Sequence, residues 1–275
     1  MDWSRPPAVA GMFYPDREAS LRSEVEGLLE AAAVEGRDSD GGRGPVPGVE
    51  GKPKAVVAPH AGYVYSGPVA ASAYWRLASQ RGSIRRVLLL GPAHRYGFKG
   101  LAACSASAFQ TPLGMVPVDR EGVRTALELD QVLLLDVAHE GEHSLEVHLP
   151  FLQVVLGDFR LVPLVVGDTE PEEVAEVLRV LWGGPETLIV VSSDLSHFLP
   201  YDRAMALDES TARAIEECRP DRIHTNQACG KNPVGGLLLR VREEGLEVER
   251  VDLRNSGDTA GSRDRVVGYG SFLFA

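Results

Sequence analysis

The chain has few cysteines and no long apolar run, and both absences exclude classes of protein. Only three of its 275 residues are cysteine, an odd number without regular spacing, which argues against a disulfide framework and for reduced thiols. No run approaches the roughly 18 apolar residues of a membrane-spanning helix. The first residues lack the basic flank and apolar stretch of a signal peptide. We therefore expect a cytoplasmic protein that does not associate with membranes.

Basic residues are also in short supply, with 28 Lys and Arg against 39 Asp and Glu and a formal net charge of -11. This balance disfavours a general nucleic-acid-binding surface and attraction to anionic lipids. The 44% hydrophobic and 24% charged residues are typical of a globular protein with a substantial interior. Nothing marks a boundary between two cores, so we predict one domain over residues 1–275. Within it, the glycine- and proline-rich stretch 36–52 is expected to be a flexible surface loop.

Three apolar runs end in polar residues that include a histidine. The runs, each with its histidine, are 55–58 with His60, 87–90 with His94, and 188–191 with His197. Pro59 cannot donate a ladder hydrogen bond, so the first strand should stop there. In open α/β sheets, ligands bind beyond the carboxyl ends of the strands. A single histidine is more often a core or surface residue than a ligand, but three at equivalent positions predict one shared pocket.

The alternation of apolar runs and helical patterns predicts an α/β fold with a central, mostly parallel or mixed sheet covered by helices on both faces. The predicted strands are 55–58, 86–90, 160–166, 188–191 and 266–274. The main predicted helices are 16–34, 69–78, 122–128, 171–181 and 208–217, with a further helix in 227–240. The proline spacing in 111–117 indicates an edge hairpin or an irregular crossover.

Residues 139–156 have the most unusual composition, with three histidines and three glutamates. Ser144 can cap a helix there, which places His143 just before the helix start and predicts a kink at Pro150. The segment is not a His-Glu-x-x-His zinc motif, because Ser144 follows His143. His139, like His224, is interpreted as a surface residue. For His148, packing or a hydrogen bond behind the pocket is as compatible with the sequence as a direct role in the site.

Cys229 stands where a polar stretch becomes an apolar helix. A helix N-terminus lowers the pKa of a thiol, so we expect Cys229 to be more reactive than the other two cysteines. The alternative is a small buried hydrophobic residue, a common fate of free cysteine. Cys104 and Cys218 have no comparable surroundings and are interpreted as structural.

Six blocks in a fixed order resemble the Memo family, and together they span essentially the whole chain. They are Ala-Val-Ala-Gly-Met-Phe-Tyr-Pro at 8–15, Ala-Pro-His-Ala-Gly-Tyr at 58–63, Gly-Pro-Ala-His at 91–94, Glu-His-Ser-Leu-Glu-Val-His-Leu-Pro at 142–150, Ser-Ser-Asp-Leu-Ser-His at 192–197, and Cys-Gly-Lys-Asn-Pro at 229–233. Bacterial and archaeal members are named AmmeMemoRadiSam system protein B. That name implies a functional link to an AMMECR-type protein and a radical S-adenosylmethionine protein.

The resemblance implies a fold shared with the LigB-like class III extradiol dioxygenases, which bind non-haem iron(II) through two histidines and a carboxylate. It implies a metal site formed by His60, His94 and Cys229, with a thiolate in place of glutamate. It also implies that the acid–base candidates His143 and His197 line the same pocket, with Asp194 beside it. The sequence departs from the family pattern at Asn232, where relatives carry histidine.

The expected function is that of a metal-dependent redox enzyme acting on an unidentified small molecule. Thiolate softens the site, which favours iron(II), zinc or copper(I) over magnesium or calcium, and the resemblance selects iron(II). One alternative is metal-assisted hydrolysis with His143 or His197 as general base. Another is a non-enzymatic adaptor that keeps the pocket for binding, as implied by animal members that recognise phosphotyrosine peptides.

Overall fold

The computed structural model describes residues 3–38 and 52–275, which contain eight α-helices and twelve strands. The strands are β1 Ser4–Arg5, β2 Ala55–Ala58, β3 Arg86–Pro92, β4 Leu101–Ala103, β5 Ala108–Thr111, β6 Gly114–Pro117, β7 Val132–Leu134, β8 Arg160–Val166, β9 Thr187–Ser192, β10 His197–Leu199, β11 Val248–Asn255 and β12 Val266–Phe274. The helices are α1 Glu18–Asp38, α2 Tyr63–Tyr74, α3 Arg120–Ala126, α4 Val137–Glu140, α5 Leu149–Leu156, α6 Pro171–Leu181, α7 Tyr201–Glu216 and α8 Lys231–Glu244.

The large sheet has the strand order β10-β12-β2-β9-β3-β8-β4-β7, and β11 pairs with β12. Its centre, β2-β9-β3-β8, is parallel, whereas β12 joins β2 and β4 joins β8 in antiparallel fashion. Ala58 lies opposite Ser192, and Pro92 lies opposite Val166, so the central strands end at a common edge. The loops that carry the predicted histidines leave the sheet from that edge.

Burial explains why these runs are apolar throughout. Every residue of β2 and of β9 is buried, because the sheet is flanked by helices. One helical group contains α1, α2 and α5, and another contains α6 and α8. The amphipathic α6 buries Val174, Val177, Leu178 and Leu181, at the three- and four-residue spacing of one helical face. The prediction of a single α/β domain with a mixed sheet is confirmed.

A second, three-stranded sheet has the order β1-β5-β6. The hairpin expected near 111–117 is present as β5 and β6, although it lies outside the large sheet. β1 runs parallel to β5, with Ser4 opposite Ala108. Residues near the N-terminus are therefore held against the body of the protein. Among the described helices, none combines the length and the apolar composition that a membrane crossing requires.

Several sequence-based predictions about helices were wrong. α7 begins at Tyr201, seven residues before the predicted start at residue 208, and α5 begins at Leu149 without a cap from Ser144. α1 continues to Asp38, so residues 36–38 of the expected loop 36–52 are helical, and residues 39–51 lie outside the described part of the chain. α2 begins at Tyr63, six residues before the predicted start, and contains Pro68 within it. No kink was needed at Pro150, because a short 3₁₀ helix precedes α5 and Pro150 lies in the first turn of α5, where its missing N–H is not required.

Candidate metal centre

His60 lies two residues beyond the end of β2, with only 2% of its surface exposed. Its Nδ1 atom is 2.5 Å from the hydroxyl oxygen of Ser192 at the end of β9. Its backbone N–H donates to Asp194 Oδ1 at 2.8 Å. Because Nδ1 faces Ser192, the other ring nitrogen, Nε2, is directed towards Cys229, whose Sγ is 3.4 Å away.

His94 lies two residues beyond the end of β3 and is held by Glu142. Its Nδ1 is 2.9 Å from Glu142 Oε1, and its backbone N–H donates to Glu142 Oε2 at 2.6 Å. Its ring centroid is 5.1 Å from that of His60. The Glu142 loop can approach β3 because residue 91 is glycine: a Cβ there would lie 2.8 Å from Ser144 Oγ. Ser144 in turn donates its hydroxyl hydrogen to the carbonyl of Pro92 at 2.8 Å.

Cys229 immediately precedes the turn into α8 and rests on the loop after β9. Its N–H donates to the carbonyl of Asp194 at 3.3 Å, and the next N–H, of Gly230, donates to Ser193 Oγ at 3.0 Å. A Cβ at position 230 would lie 2.6 Å from the carbonyl oxygen of Ser192, so only glycine permits this approach. The contact brings the thiol to the same edge of the sheet as the histidines.

Within the described residues, two groups of donor atoms lie within 4.8 Å of one another: His60, His94 and Cys229, and His94, Glu142 and His143. The first group fits a metal ion well. The Nδ1 atoms of both its histidines are engaged by Ser192 and Glu142, which leaves Nε2 as the donor. A tetrahedral ion with bonds of about 2.0–2.3 Å holds its donors about 3–4 Å apart, which matches the 3.4 Å between Sγ and Nε2 of His60. The site is therefore compatible with a divalent metal.

The imidazoles of His60 and His143 are neutral at physiological pH. Burial, reinforced by the neighbouring His94, keeps the pKa of His60 well below its usual value, and burial lowers the pKa of His143 to about 4. Burial alone would raise the pKa of Glu142, but hydrogen bonds from His94 and the backbone lower it to about 2. Neutral imidazoles retain the lone pairs that bind metal, and the ionised Glu142 can only accept hydrogen bonds.

The expectation of a lowered pKa at Cys229 was wrong for the metal-free protein. Burial, reinforced by the Asp194 carboxylate, raises the pKa of this thiol to about 12. Hydrogen bonds from the backbone oppose the shift but are the smaller effect. Burial likewise raises the pKa of Cys104 to about 12. Thiolate character at Cys229 must therefore come from a bound cation, not from the helix N-terminus.

Metal uptake is consequently expected to release a proton from Cys229. Because the thiol is protonated between pH 7 and 9 and His60 is already neutral, the apparent affinity should rise about tenfold per pH unit. Calorimetric titration of zinc in buffers of different ionisation enthalpy should give about one proton per ion. Zinc binding to Cys229→Ala should not release that proton. Binding without proton release would mean that the thiolate already exists in the metal-free protein.

The remaining predicted site residues surround this cluster in different ways. The His143 ring stacks on His94 with centroids 4.8 Å apart and contacts the edge of Phe13 at 4.9 Å. Asp194 is buried, and burial raises its pKa above the usual range. His197 is exposed and bonds to the carbonyl of Leu195 through Nδ1 at 2.8 Å. His143 and Asp194 thus contact the proposed ligands, whereas His197 is exposed.

Sequence reasoning gave no role to Glu142 or Ser192, although both lie in the blocks that carry the family resemblance. The only signal was position: Ser192 ends a strand, and Glu142 directly precedes His143. The interpretation of His139 as a surface residue was wrong, because it is 1% exposed and its Nε2 is 2.9 Å from the carbonyl of Ala102. His148 is buried too and bonds to the Tyr74 hydroxyl at 2.7 Å, which agrees with a packing role.

A cavity of about 470 Å³ lies next to the cluster and includes Cys229 in its wall. Phe98 and Pro233 contribute apolar surface, and Lys99 and Asn232 contribute polar groups. Its volume is within the range of small-molecule sites, which extends from about 300 to 1,000 Å³. The cavity therefore meets the donor group at Cys229.

The sequence matches the family model of the Memo-like proteins over residues 5–273. The chain belongs to the Memo family. A MEMO1 family protein of Ignicoccus hospitalis is 37% identical over 292 residues, and one of Methanopyrus kandleri is 34% identical over 286; both alignments cover 98% of each chain. A MEMO1 family protein of Aquifex aeolicus is 34% identical, with the same coverage.

The fold of this Memo-family protein is also similar to a crystal structure of an uncharacterized protein from Escherichia coli K12. The TM-score is 0.52, the sequence identity is 13%, and the similarity covers 78% of this chain and 98% of the other. At this identity the likeness concerns the fold alone.

Proposed function

We propose that this Memo-family protein binds iron(II) through His60, His94 and Cys229 and catalyses a redox reaction on a small molecule. The observation that carries the proposal is the convergence of two imidazoles and a thiol within 4.8 Å at the carboxyl edge of a parallel sheet. Such a donor set leaves coordination positions open for substrate or dioxygen, and its thiolate favours iron(II), copper(I) or zinc over harder ions. The resemblance to extradiol dioxygenases selects iron among them.

We assign proton transfer to the groups around the donors. His143 is neutral at pH 7 because burial lowers its pKa, so it can accept a proton from a substrate held beside His94. Asp194 touches the backbone of His60 and has a raised pKa, which lets it hold a proton that most aspartates would lose. His197, being exposed, can exchange protons with solvent. The cavity that includes Cys229 supplies space for the substrate.

Metal-assisted hydrolysis is the second candidate, and the neutral His143 favours it. When bound, a metal ion supplies Lewis acidity and lowers the pKa of coordinated water. A neutral imidazole stacked on one of the proposed ligands is well placed as a general base. The functional link to AMMECR-type and radical S-adenosylmethionine proteins is part of the proposal for either chemistry.

The test begins with protein purified without oxygen. Elemental analysis should find about one iron per chain. With ascorbate present, dioxygen uptake by the wild type should exceed that of Cys229→Ala by at least about tenfold. Cys218→Ala is the matched thiol control. Anaerobic hydrolysis of p-nitrophenyl acetate by the zinc-loaded protein, with no dioxygen uptake by the iron form, would favour the hydrolase. Absence of both activities in metal-loaded protein would leave the adaptor function.

A further inference from the structure

The buried carboxylate of Glu142 makes more polar contacts than any other group beside the cluster. Oε1 accepts from His94 Nδ1 and from the backbone N–H groups of His143 and Ser144, each at 2.9 Å. Oε2 accepts from the backbone N–H of His94 at 2.6 Å. A carboxylate offers about four acceptor sites. Three of the four donors lie on Oε1 and one on Oε2, so Oε1, which bonds to the His94 ring, is fully occupied within the protein.

These contacts bear on whether Glu142 binds a metal ion itself or orients the proposed ligand His94. Glu142 also belongs to the donor group with His94 and His143, so it could in principle bind a metal itself. An ion at Oε1 would have to displace the backbone N–H groups of His143 and Ser144. It would also compete with the three donors of the first group for His94. The contacts therefore favour an organising role over a ligand role.

The bonds from His94 fix two separate properties of that residue. The backbone bond at 2.6 Å sets where the chain turns after β3, and the ring bond at 2.9 Å sets the rotation of the imidazole. An ionised carboxylate accepts and cannot donate, so the ring nitrogen that faces it, Nδ1, must carry a hydrogen. The lone pair then lies on Nε2, on the side of the ring away from Glu142.

We infer that Glu142 is a positioning residue of the metal site: it holds His94 in the Nδ1–H tautomer and aims Nε2 at the ion. The inference rests on the proposed role of His94 as a ligand. Partners of this kind commonly change metal affinity by about 10–100-fold. The position of Glu142 is itself maintained from outside the pocket, because Arg5 donates to its carbonyl oxygen and Ser144 ties the loop to Pro92.

The first measurement uses the metal-free wild-type protein. Two-bond ¹H–¹⁵N correlation spectra of histidine-labelled protein distinguish the Nδ1–H and Nε2–H tautomers. The His94 signals, assigned by their loss in His94→Gln, should report the Nδ1–H form. In Glu142→Gln the Nδ1–H signature should weaken or disappear, because an amide no longer offers the same acceptor charge. Glu140→Gln, an identical change at an exposed position two residues away, should leave the tautomer unchanged.

The second measurement is zinc affinity, determined by competition with a chelator. Glu142→Gln should bind zinc about 10–100-fold more weakly than the wild type. Glu140→Gln should bind zinc as tightly as the wild type. An Nε2–H tautomer in the wild type would overturn the inference without any variant. The inference would also be overturned if Glu142→Gln bound zinc as tightly as the wild type. It would equally be overturned if the wild-type chain bound two zinc ions and Glu142→Gln bound one. If the wild type binds no metal, the proposed function fails, and the tautomer still decides whether Glu142 positions His94.

Discussion

Alanine at His60 is expected to abolish metal retention, whereas alanine at His143 should leave the ion bound. His60 directs Nε2 at Cys229 and belongs to the donor group of two histidines and a thiol. Removing one of three protein ligands should cost more than the 10–100-fold that outer partners cost, so we expect a loss above about 100-fold in affinity. His143 stacks on His94 but is outside that group.

The measurement is metal content per chain after gel filtration, by elemental analysis of each variant. His224→Ala is the matched control, because His224 is exposed and distant from the donor groups. The competing donor group of His94, Glu142 and His143 makes the opposite prediction. Loss of metal from His143→Ala with retention by His60→Ala would therefore reverse the assignment of ligand and proton-transfer residues.

Glu146→Gln is expected to reduce the free energy of unfolding by about 3–5 kcal/mol, because it leaves the Arg5 guanidinium buried without its counter-charge. The two side chains are 1% and 0% exposed. Glu146 also accepts the backbone N–H groups of Ala8 at 2.7 Å and Val9 at 3.0 Å, and the hydroxyl of Tyr14. One carboxylate thus holds both an ion pair and residues 8–14.

Urea denaturation of metal-free protein measures this effect. Glu18→Gln is the matched control, since its pair with Arg22 is exposed and such pairs contribute only about 0–1 kcal/mol. Combining Arg5→Met with Glu146→Gln removes both charges and should recover more than half of the loss. A loss below about 1 kcal/mol in Glu146→Gln, or additive losses in the double variant, would contradict the buried-pair explanation.

Local sequence was sufficient to predict most of the sheet. The bounds of β2, β8 and β12 agree with the predicted runs, because an apolar run of four to nine residues between turn residues has few alternatives to a buried strand. Helix starts were less predictable. The sequence predicts a helix from residue 69, yet α2 begins at Tyr63 and contains Pro68, since packing of the helix compensates for the lost hydrogen bond.

The site was harder to predict because its organisation depends on contacts between distant residues. Glu142 acts on a histidine 48 positions away, and no local pattern reports that distance. His139 was misplaced because a four-residue helix buries it beneath β4, where Ala102 accepts its hydrogen bond. The pKa of Cys229 was misjudged for a similar reason: proximity to a helix start is visible in sequence, but the burial that outweighs it is not.

The positions of the proposed metal ligands along the chain also affect when an ion could bind during biosynthesis. His60 and Cys229 are 169 positions apart, and β2 is completed on one side by β12, near the end of the chain. A ribosome adds about 5–20 residues per second, so Cys229 is synthesised roughly 10–30 seconds after His60. During that interval a nascent chain offers only isolated ligands. Metal loading at the proposed site would therefore follow translation and would depend on the ion supply that the finished fold encounters.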